Sequence, residues 1–419
     1  MKNAIKPFIT LLLRMIPQLI FICAVLPMLY MIRPYRKIII HKLIYNRIGH
    51  LAGNSDFELR RRQIYDLPLN EVHIYISGTP VNRQIVKMLK KHLVIFEGVW
   101  LIRGFFAVEK LLQKTPFYQP DTWNEYDCLR EIATTHATLS FTQDEENRGR
   151  QALREMGIGD DDWFVCVHSR DSQYLKEANP EGNWEYHDYR DCSIKNYLPA
   201  MQYITEQGGY VLRMGSVVSE QLEDSCNPRI IDYACKHRSD FMDIFASAKC
   251  RFFLGSTAGL FNVAWVFDVP IAHANMTPLS VLPFRQEDLF IPKLLRKKSN
   301  QEMLSLDAAD KAALFNPEVR GLFTSKYYDE MGLEFIENSP DEILGLTVEM
   351  FAKLEGHEVE KSFRELQSAY KSKFMFHIND ADLVGDISWN FLHKHQKITG
   401  LSFTPHSEDI GFSDQQKHA

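Results

Sequence analysis

The stretch Arg251–Pro278, RFFLGSTAGLFNVAWVFDVPIAHANMTP, decides the fold. Arg251 to Leu254 predict a short strand with both faces covered, since an apolar run without alternation is the mark of a buried parallel strand. The turn GSTAG, Gly255 to Gly259, follows at once, and Leu260 to Phe267 carry a helical run. Asp268, Val269 and Pro270 stop that helix, and Pro270 to Ala274 begin another strand. A strand, a small-residue turn and a helix in succession put free backbone N–H groups at the carboxyl edge of a sheet. Aligned peptide dipoles and open donors there suit an anion such as phosphate. Ser256 and Thr257 add hydroxyls, and glycines let a ligand approach the backbone closely. The same pattern also suits an ordinary strand-to-helix connection, so the turn alone does not decide between them.

Outward from this stretch, strands and helices alternate along most of the chain, which predicts an α/β protein built on doubly wound parallel sheets. Upstream lie WFVCVHSRD (Trp163 to Asp171), a helix from Ile194 to Glu206, YVLRMGS (Tyr210 to Ser216), RIIDYA (Arg229 to Ala234) and a short helix from Phe241 to Ala248. A second set precedes them. KIIIHKLI (Lys37 to Ile44) and EVHIYIS (Glu71 to Ser77) predict strands, as does His92 to Phe96, with helices over Phe57 to Ile64 and Val81 to Lys91. YNRIGHLAGN, Tyr45 to Asn54, reads as a loop because of its two glycines. The charged helix from Asp144 to Met156, followed by GIGDDD, marks a boundary between the two sets. The expected organisation is two facing Rossmann-like domains, 37–155 and 156–300, then a helical extension over 301–400 and a disordered tail, 401–419. Within the extension, SPDEILGLTVEMFAKL predicts a helix capped by Ser339, with Pro340 in its first turn.

Residues 1–36 stand apart as a hydrophobic anchor. FITLLLRMIPQLIFICAVLPMLYMI, Phe8 to Ile32, carries no charge after Arg14, and Pro17 and Pro27 interrupt it. A spanning helix needs about 20 apolar residues, so spanning, in-plane and buried-helix placements all stay open. Arg33, Arg36, Lys37 and Lys42 after the segment put the bulk of the chain on the cytoplasmic side. One candidate span argues against a transporter.

The chain of 419 residues has a formal net charge of −6, which gives no general reason to expect nucleic-acid binding. Its seven cysteines are irregularly spaced with no CxxC, so a reducing compartment fits better than a disulfide framework or a zinc site.

Candidate chemistry gathers where strands end. His168, Arg170 and Asp171 follow an apolar strand and fall at a sheet's carboxyl edge, where open α/β proteins bind ligands. Arg170 then faces the same crevice as the GSTAG turn, where a guanidinium and a helix N-terminus make a cradle for a diphosphate; the other reading is a surface pair between Arg170 and Asp171. HDYRDC, His187 to Cys192, sits in a long polar loop beside the same edge. Arg213, at the next strand's end, either contacts a nucleotide or caps the strand. No metal ligands are expected: Asp380 and Asp382 match a DxD pattern but lack a preceding apolar strand and suit a helix cap.

VCVHSRD, HDYRDCSIKNY, GGYVLRMGS, IIDYA and DIFASAKCRFFLGSTAGLFNVAWVFDVPIAHANMTPL together resemble a bacterial family of glycosyltransferases tied to surface polysaccharides. RIGHLAGN, Arg47 to Asn54, resembles that family's N-terminal loop. More distantly, the layout is similar to the GT-B architecture of heptosyltransferases and of fucosyltransferases with an HxR motif, although the longer basic motif of the latter is missing. The resemblance implies that Arg170, Ser256, Thr257 and Gly259 hold the phosphates of a nucleotide-sugar donor without a metal. It implies transfer of a sugar to a surface polysaccharide or a lipid-linked glycan precursor, at the cytoplasmic face of the inner membrane, with no cofactor beyond the donor substrate. The base for the acceptor hydroxyl is then among His50, Asp56 and Asp188. A non-catalytic scaffold of a polysaccharide assembly and a GT-B-type sugar-nucleotide epimerase are the alternatives.

Overall fold

The computed structural model describes residues 16–120, 128–171, 185–218, 220–222, 227–376, 378 and 380–401. The first part of the expected anchor, residues 172–184 of the long loop and the tail from 402 lie outside the described residues. The chain divides into two compact units, Met1–Asn124 with Thr135–Thr142, and Glu125–Thr134 with Gln143–Ala419.

The first unit is built on a three-stranded parallel sheet in the order β1-β2-β3, with β1 Lys37–Lys42, β2 Glu71–Ser77 and β3 Val94–Glu97. Its core joins Ile76 of β2 to Ile102, Phe105 and Leu112 of the helix Val99–Leu112. Phe21 and Leu29 enter the same core. Residues 16–32 therefore form a helical run, with a π-helical turn over Phe21–Val25, whose inner side belongs to this unit. Among the described residues no helix is long and apolar enough to cross a membrane.

The glycines of GHLAGN do not make a loop. They fall in the first turns of the helix Ile48–Ile64, where Gly49, Ala52 and Gly53 are all buried. Small residues there form a close-packed helix face, which a breaker-based reading mistakes for a turn. Further along the same helix, Asp56 accepts a hydrogen bond from Arg60 Nε at 2.6 Å, with both side chains buried. Arg60 also donates to the carbonyl of Thr135 at 3.2 Å, which ties the returning segment to this unit.

The second unit carries a seven-stranded sheet in the order β12-β9-β8-β7-β4-β5-β6, all of it parallel. The strands are β4 Phe164–His168, β5 Tyr210–Arg213, β6 Ile230–Ile231, β7 Phe253–Gly255, β8 Ile271–Met276, β9 Leu289–Pro292 and β12 Asp386–Ile387. A separate antiparallel pair joins β10 Leu294–Lys297 to β11 Leu333–Ile336. Phe164, Val165, Cys166 and Val167 are all buried, as a central strand covered on both faces requires. The chain lays down β4, β5 and β6 in one direction and returns to place β7 on the other side of β4. The sheet reverses its winding between β4 and β7.

Two expected boundaries move. The helix Gln143–Glu155 belongs to the second unit: Arg148 stacks over Phe241, Lys249 pairs with Glu146 at 2.6 Å, and Gly149 meets Phe245. The helix itself falls where it was expected, but it buries only Glu145, Gly149 and Leu153, so its pattern does not show which unit it packs on. Residues 301–400 are not a separate extension, because β12 extends the seven-stranded sheet and the helix Pro340–Leu354 packs on it. Ser339 caps that helix, as expected, in a capping box with Glu342. The reciprocal bonds from Asn275 N to Asn338 Oδ1 (2.5 Å) and from Asn338 N to Asn275 Oδ1 (2.7 Å) fasten the segment before it to β8.

A Cβ at Gly149 would lie 2.3 Å from the ring of Phe245, which is 1% exposed and has nowhere to go. We expect Gly149→Val to destabilise the protein by about 1–3 kcal/mol. Gly104→Ala, with nothing within 4 Å of the added carbon, should stabilise it by up to about 1 kcal/mol. Denaturant unfolding of the two variants checks this, and a Gly149→Val protein as stable as the wild type would refute the packing described.

Candidate functional site

The carboxyl ends of β4 and β7 lie side by side, with His168 in register with Gly255. In open parallel sheets the crevice beyond a reversal of winding is where ligands bind, because the two crossovers diverge there and leave the strand ends uncovered. Hydrogen bonds continue past the strands: Ser256 N donates to His168 O at 3.2 Å, and Arg170 N donates to Ser256 Oγ at 2.8 Å. Arg170 and the GSTAG turn, expected to share a crevice, are joined directly.

Arg170 is 9% exposed. Its Nη1 donates to the His187 carbonyl at 3.0 Å and pairs with the carboxylate of Asp191. Burial draws its pKa below the ordinary arginine value, and Asp191 opposes that shift. The HDYRDC loop thus does reach the strand ends, as a 3-10 turn over Glu185–Arg190 that folds against Arg170.

Thr257 Oγ1 accepts from Thr277 N at 3.0 Å, which links the turn to the end of β8. Gly259 is exposed. The helix that follows is only Phe261–Val266, with Leu260 as its cap, so the turn itself and the side chains around it carry the site. His168 is half-buried, with its Nδ1 out of contact with solvent and no hydrogen-bond partner for that atom among the described residues. Burial, then the neighbouring Arg213 and Arg170, push its pKa down to about 4, so the imidazole is neutral near pH 7.

Sequence reasoning missed Lys293. It follows β9 directly, is 2% exposed, and donates from Nζ to the carbonyls of Asp191 (2.5 Å) and Tyr189 (3.2 Å). Burial lowers its pKa from the ordinary lysine value. The signal was available in LFIPK, a cation straight after an apolar run, which is the pattern that singled out Arg170.

Other expected residues take structural roles. Arg213 is 2% exposed and donates to Asp232 Oδ1 at 3.0 Å and to the Glu220 carbonyl at 2.6 Å. It organises the segment beside β5 and β6. Asp56 is held in its buried pair with Arg60, so it is not a base for an incoming hydroxyl. Asp380 pairs with Arg130 at 2.8 Å and makes no side-chain cap. His50 is exposed in the first unit and lines an open cleft with Asn54, Glu58 and Arg61, all on one face of its helix, beside Lys42 at the end of β1. Asp188 is exposed on the 3-10 turn.

No family model matches the sequence, and no curated protein does either. Among solved structures, the chain is similar to a glycosyl transferase family 9 protein from Veillonella parvula DSM 2008. The TM-score is 0.43 at 10% identity, covering 77% of this chain and 98% of that one. It is also similar to ADP-heptose LPS heptosyltransferase II of E. coli, with TM-score 0.36 at 11% identity over 56% of this chain and 84% of that one. A third is the iron-containing dodecameric glycosyltransferase TibC of enterotoxigenic E. coli H10407, with TM-score 0.33 at 10% identity over 59% of each chain.

The depressed pKa of His168 carries a stability consequence with a definite sign. Between pH 6.5 and about 4 the unfolded chain binds a proton at this residue and the folded chain does not, so stability falls as pH falls through that window. Relative to wild type, His168→Gln should become more stable by up to about 1.4 kcal/mol for each pH unit below 6.5. Urea unfolding of both proteins at a series of pH values measures the difference. A constant offset across the window would show that His168 is not buried in neutral form.

Proposed function

We propose that the chain is a glycosyltransferase of GT-B-like design that moves a sugar from a nucleotide-diphosphate donor onto a surface polysaccharide or a lipid-linked precursor. The observation that carries the reading is the meeting of Arg170, Ser256 and Thr257 at the reversal point of the parallel sheet, with Lys293 behind them. Breaking the bond between the anomeric carbon and the diphosphate leaves two or more negative charges on the departing group. A buried guanidinium and oriented hydroxyls stabilise that charge without reorganising during the reaction. Arg170 meets the diphosphate by exchanging the Asp191 carboxylate for a phosphate oxygen. His187 and Asp188 lie on the turn that this exchange would release. The nucleotide sugar is the substrate, and no further cofactor enters the scheme. Protein cations, in place of a metal, neutralise the leaving group, and the reaction is placed at the cytoplasmic face of the inner membrane. His50 and Asp188, both exposed, are the base candidates for the acceptor hydroxyl.

Titration calorimetry of the full chain with UDP, GDP, ADP, CMP and dTDP, with and without EDTA, tests the donor reading. One diphosphate should bind whether or not EDTA is present. Charge-assisted hydrogen bonds contribute about 1.5–3 kcal/mol each, so Arg170→Ala should weaken binding roughly tenfold or more. Arg170→Lys should recover part of it. If no diphosphate binds a folded sample, or if Arg170→Ala binds as well as wild type, the site is not a donor cradle.

A further inference from the structure

The first unit exposes an apolar surface that its own fold does not use. The inner side of the helical run 16–32 is committed to the core through Phe21 and Leu29, and Gln18 Nε2 donates to the Ala107 carbonyl at 2.9 Å. Its outer side shows Leu19 (54% exposed), Ile20 (56%) and Met31 (70%) to solvent, and no residue from 16 to 32 is charged. On the helix Val99–Leu112, against which the run packs, Trp100 is 81% exposed and Phe106 50%. Large apolar side chains exposed in this number on two packed helices are uncommon on soluble surfaces and mark a place of contact.

The charge around the patch says what covers it. The chain carries a net charge of −6, yet no Asp or Glu occurs before Asp56, and Arg33 and Arg36 follow the apolar run directly, while Lys37 and Lys42 beyond them pair with Glu71 and Glu109. Arg33 and Arg36 are exposed at its end, and the Arg103 guanidinium lies over the Trp100 ring at 5.1 Å. Apolar side chains, an exposed indole and a border of arginines are the combination that seats a protein in the headgroup region of an anionic bilayer. A two-fold contact with a second copy would bring the arginine border against itself.

We propose that this face is a docking surface for an anionic lipid bilayer. The run lies in the plane of the interface with Leu19, Ile20 and Met31 in the acyl boundary and Arg33 and Arg36 at the phosphates. It does not span, because one side of the helix is already occupied by its own unit. The inference is independent of the reaction proposed above and holds whatever ligand the second unit binds.

Co-sedimentation of the full chain with phosphatidylcholine vesicles, with and without phosphatidylglycerol, tests it. Binding should be strong with phosphatidylglycerol and roughly tenfold weaker without it or in high salt. The double variant Leu19→Glu with Met31→Glu should lose binding to both vesicle types by about tenfold or more. Arg33→Gln with Arg36→Gln should lose only the preference for the anionic ones. Unchanged thermal unfolding and nucleotide binding of the variants keep the result separate from folding and from the donor site. A folded wild-type chain that stays in the supernatant overturns the proposal. Glutamate variants that bind as well as wild type, or a dimer in sedimentation velocity that the glutamates dissolve, do so too.

Discussion

Two cations sit almost out of water at the edge of one sheet, and much of the second unit is arranged to keep them there. Removing a charge from water costs several kcal/mol unless hydrogen bonds and an opposite charge offset it. For Arg170 the offset comes from the Asp191 carboxylate and the His187 carbonyl, and for Lys293 from the carbonyls of Asp191 and Tyr189. A single short segment therefore satisfies both charges, and neither the cations nor the segment is stable in place without the other. Ser256, by accepting from the backbone of Arg170, fixes the one end of this arrangement that the strands do not.

Topology makes such a site possible. A parallel sheet must be covered on both faces, so its only open positions are the ends of strands, and crossovers close most of those. The return of the chain to the far side of β4 leaves one gap, between β4 and β7. The segment from Asn338 to Leu354 matters to that gap although it supplies none of its charged groups. The Asn275–Asn338 exchange holds β8 to the segment leading into Pro340–Leu354, and Asn338 Nδ2 also donates to the Pro292 carbonyl at 2.9 Å, immediately before Lys293. Each of these buried amides is satisfied, which is the condition under which a polar group inside a core adds order and not a penalty.

What was legible in the sequence follows from range. Strands such as Glu71–Ser77 and the Ser339-capped helix depend on neighbours a few residues away, and they fall where the pattern puts them. Arg170 and the GSTAG turn were legible as one site because position after an apolar strand is itself a local property. Partners were not legible. Whether Arg213 meets a ligand or Asp232, and whether Asp56 meets a hydroxyl or Arg60, is decided by residues brought in by folding. Asp56 and Arg60 stand one helical turn apart, so their pairing was open to a helical reading. The glycines of GHLAGN concealed the helix itself. Glycine weakens a helix by about 1 kcal/mol, and burial of a close-packed face outweighs that.

Keeping Arg170 paired has a consequence for selectivity on the donor reading. Because the guanidinium is already desolvated, an incoming anion does not have to strip its water, but it must displace a carboxylate tethered only 21 residues away. A tethered competitor acts at a high effective concentration, so a lone carboxylate ligand, matched one for one by Asp191, gains little from the exchange. A diphosphate brings more charge and further acceptor oxygens for the hydroxyls and for Arg170's remaining donors. On that reading the internal pair would resist a lone carboxylate and yield to ligands with two phosphates. Selection for a nucleotide diphosphate would then come from what the arginine already holds as much as from the shape of the crevice.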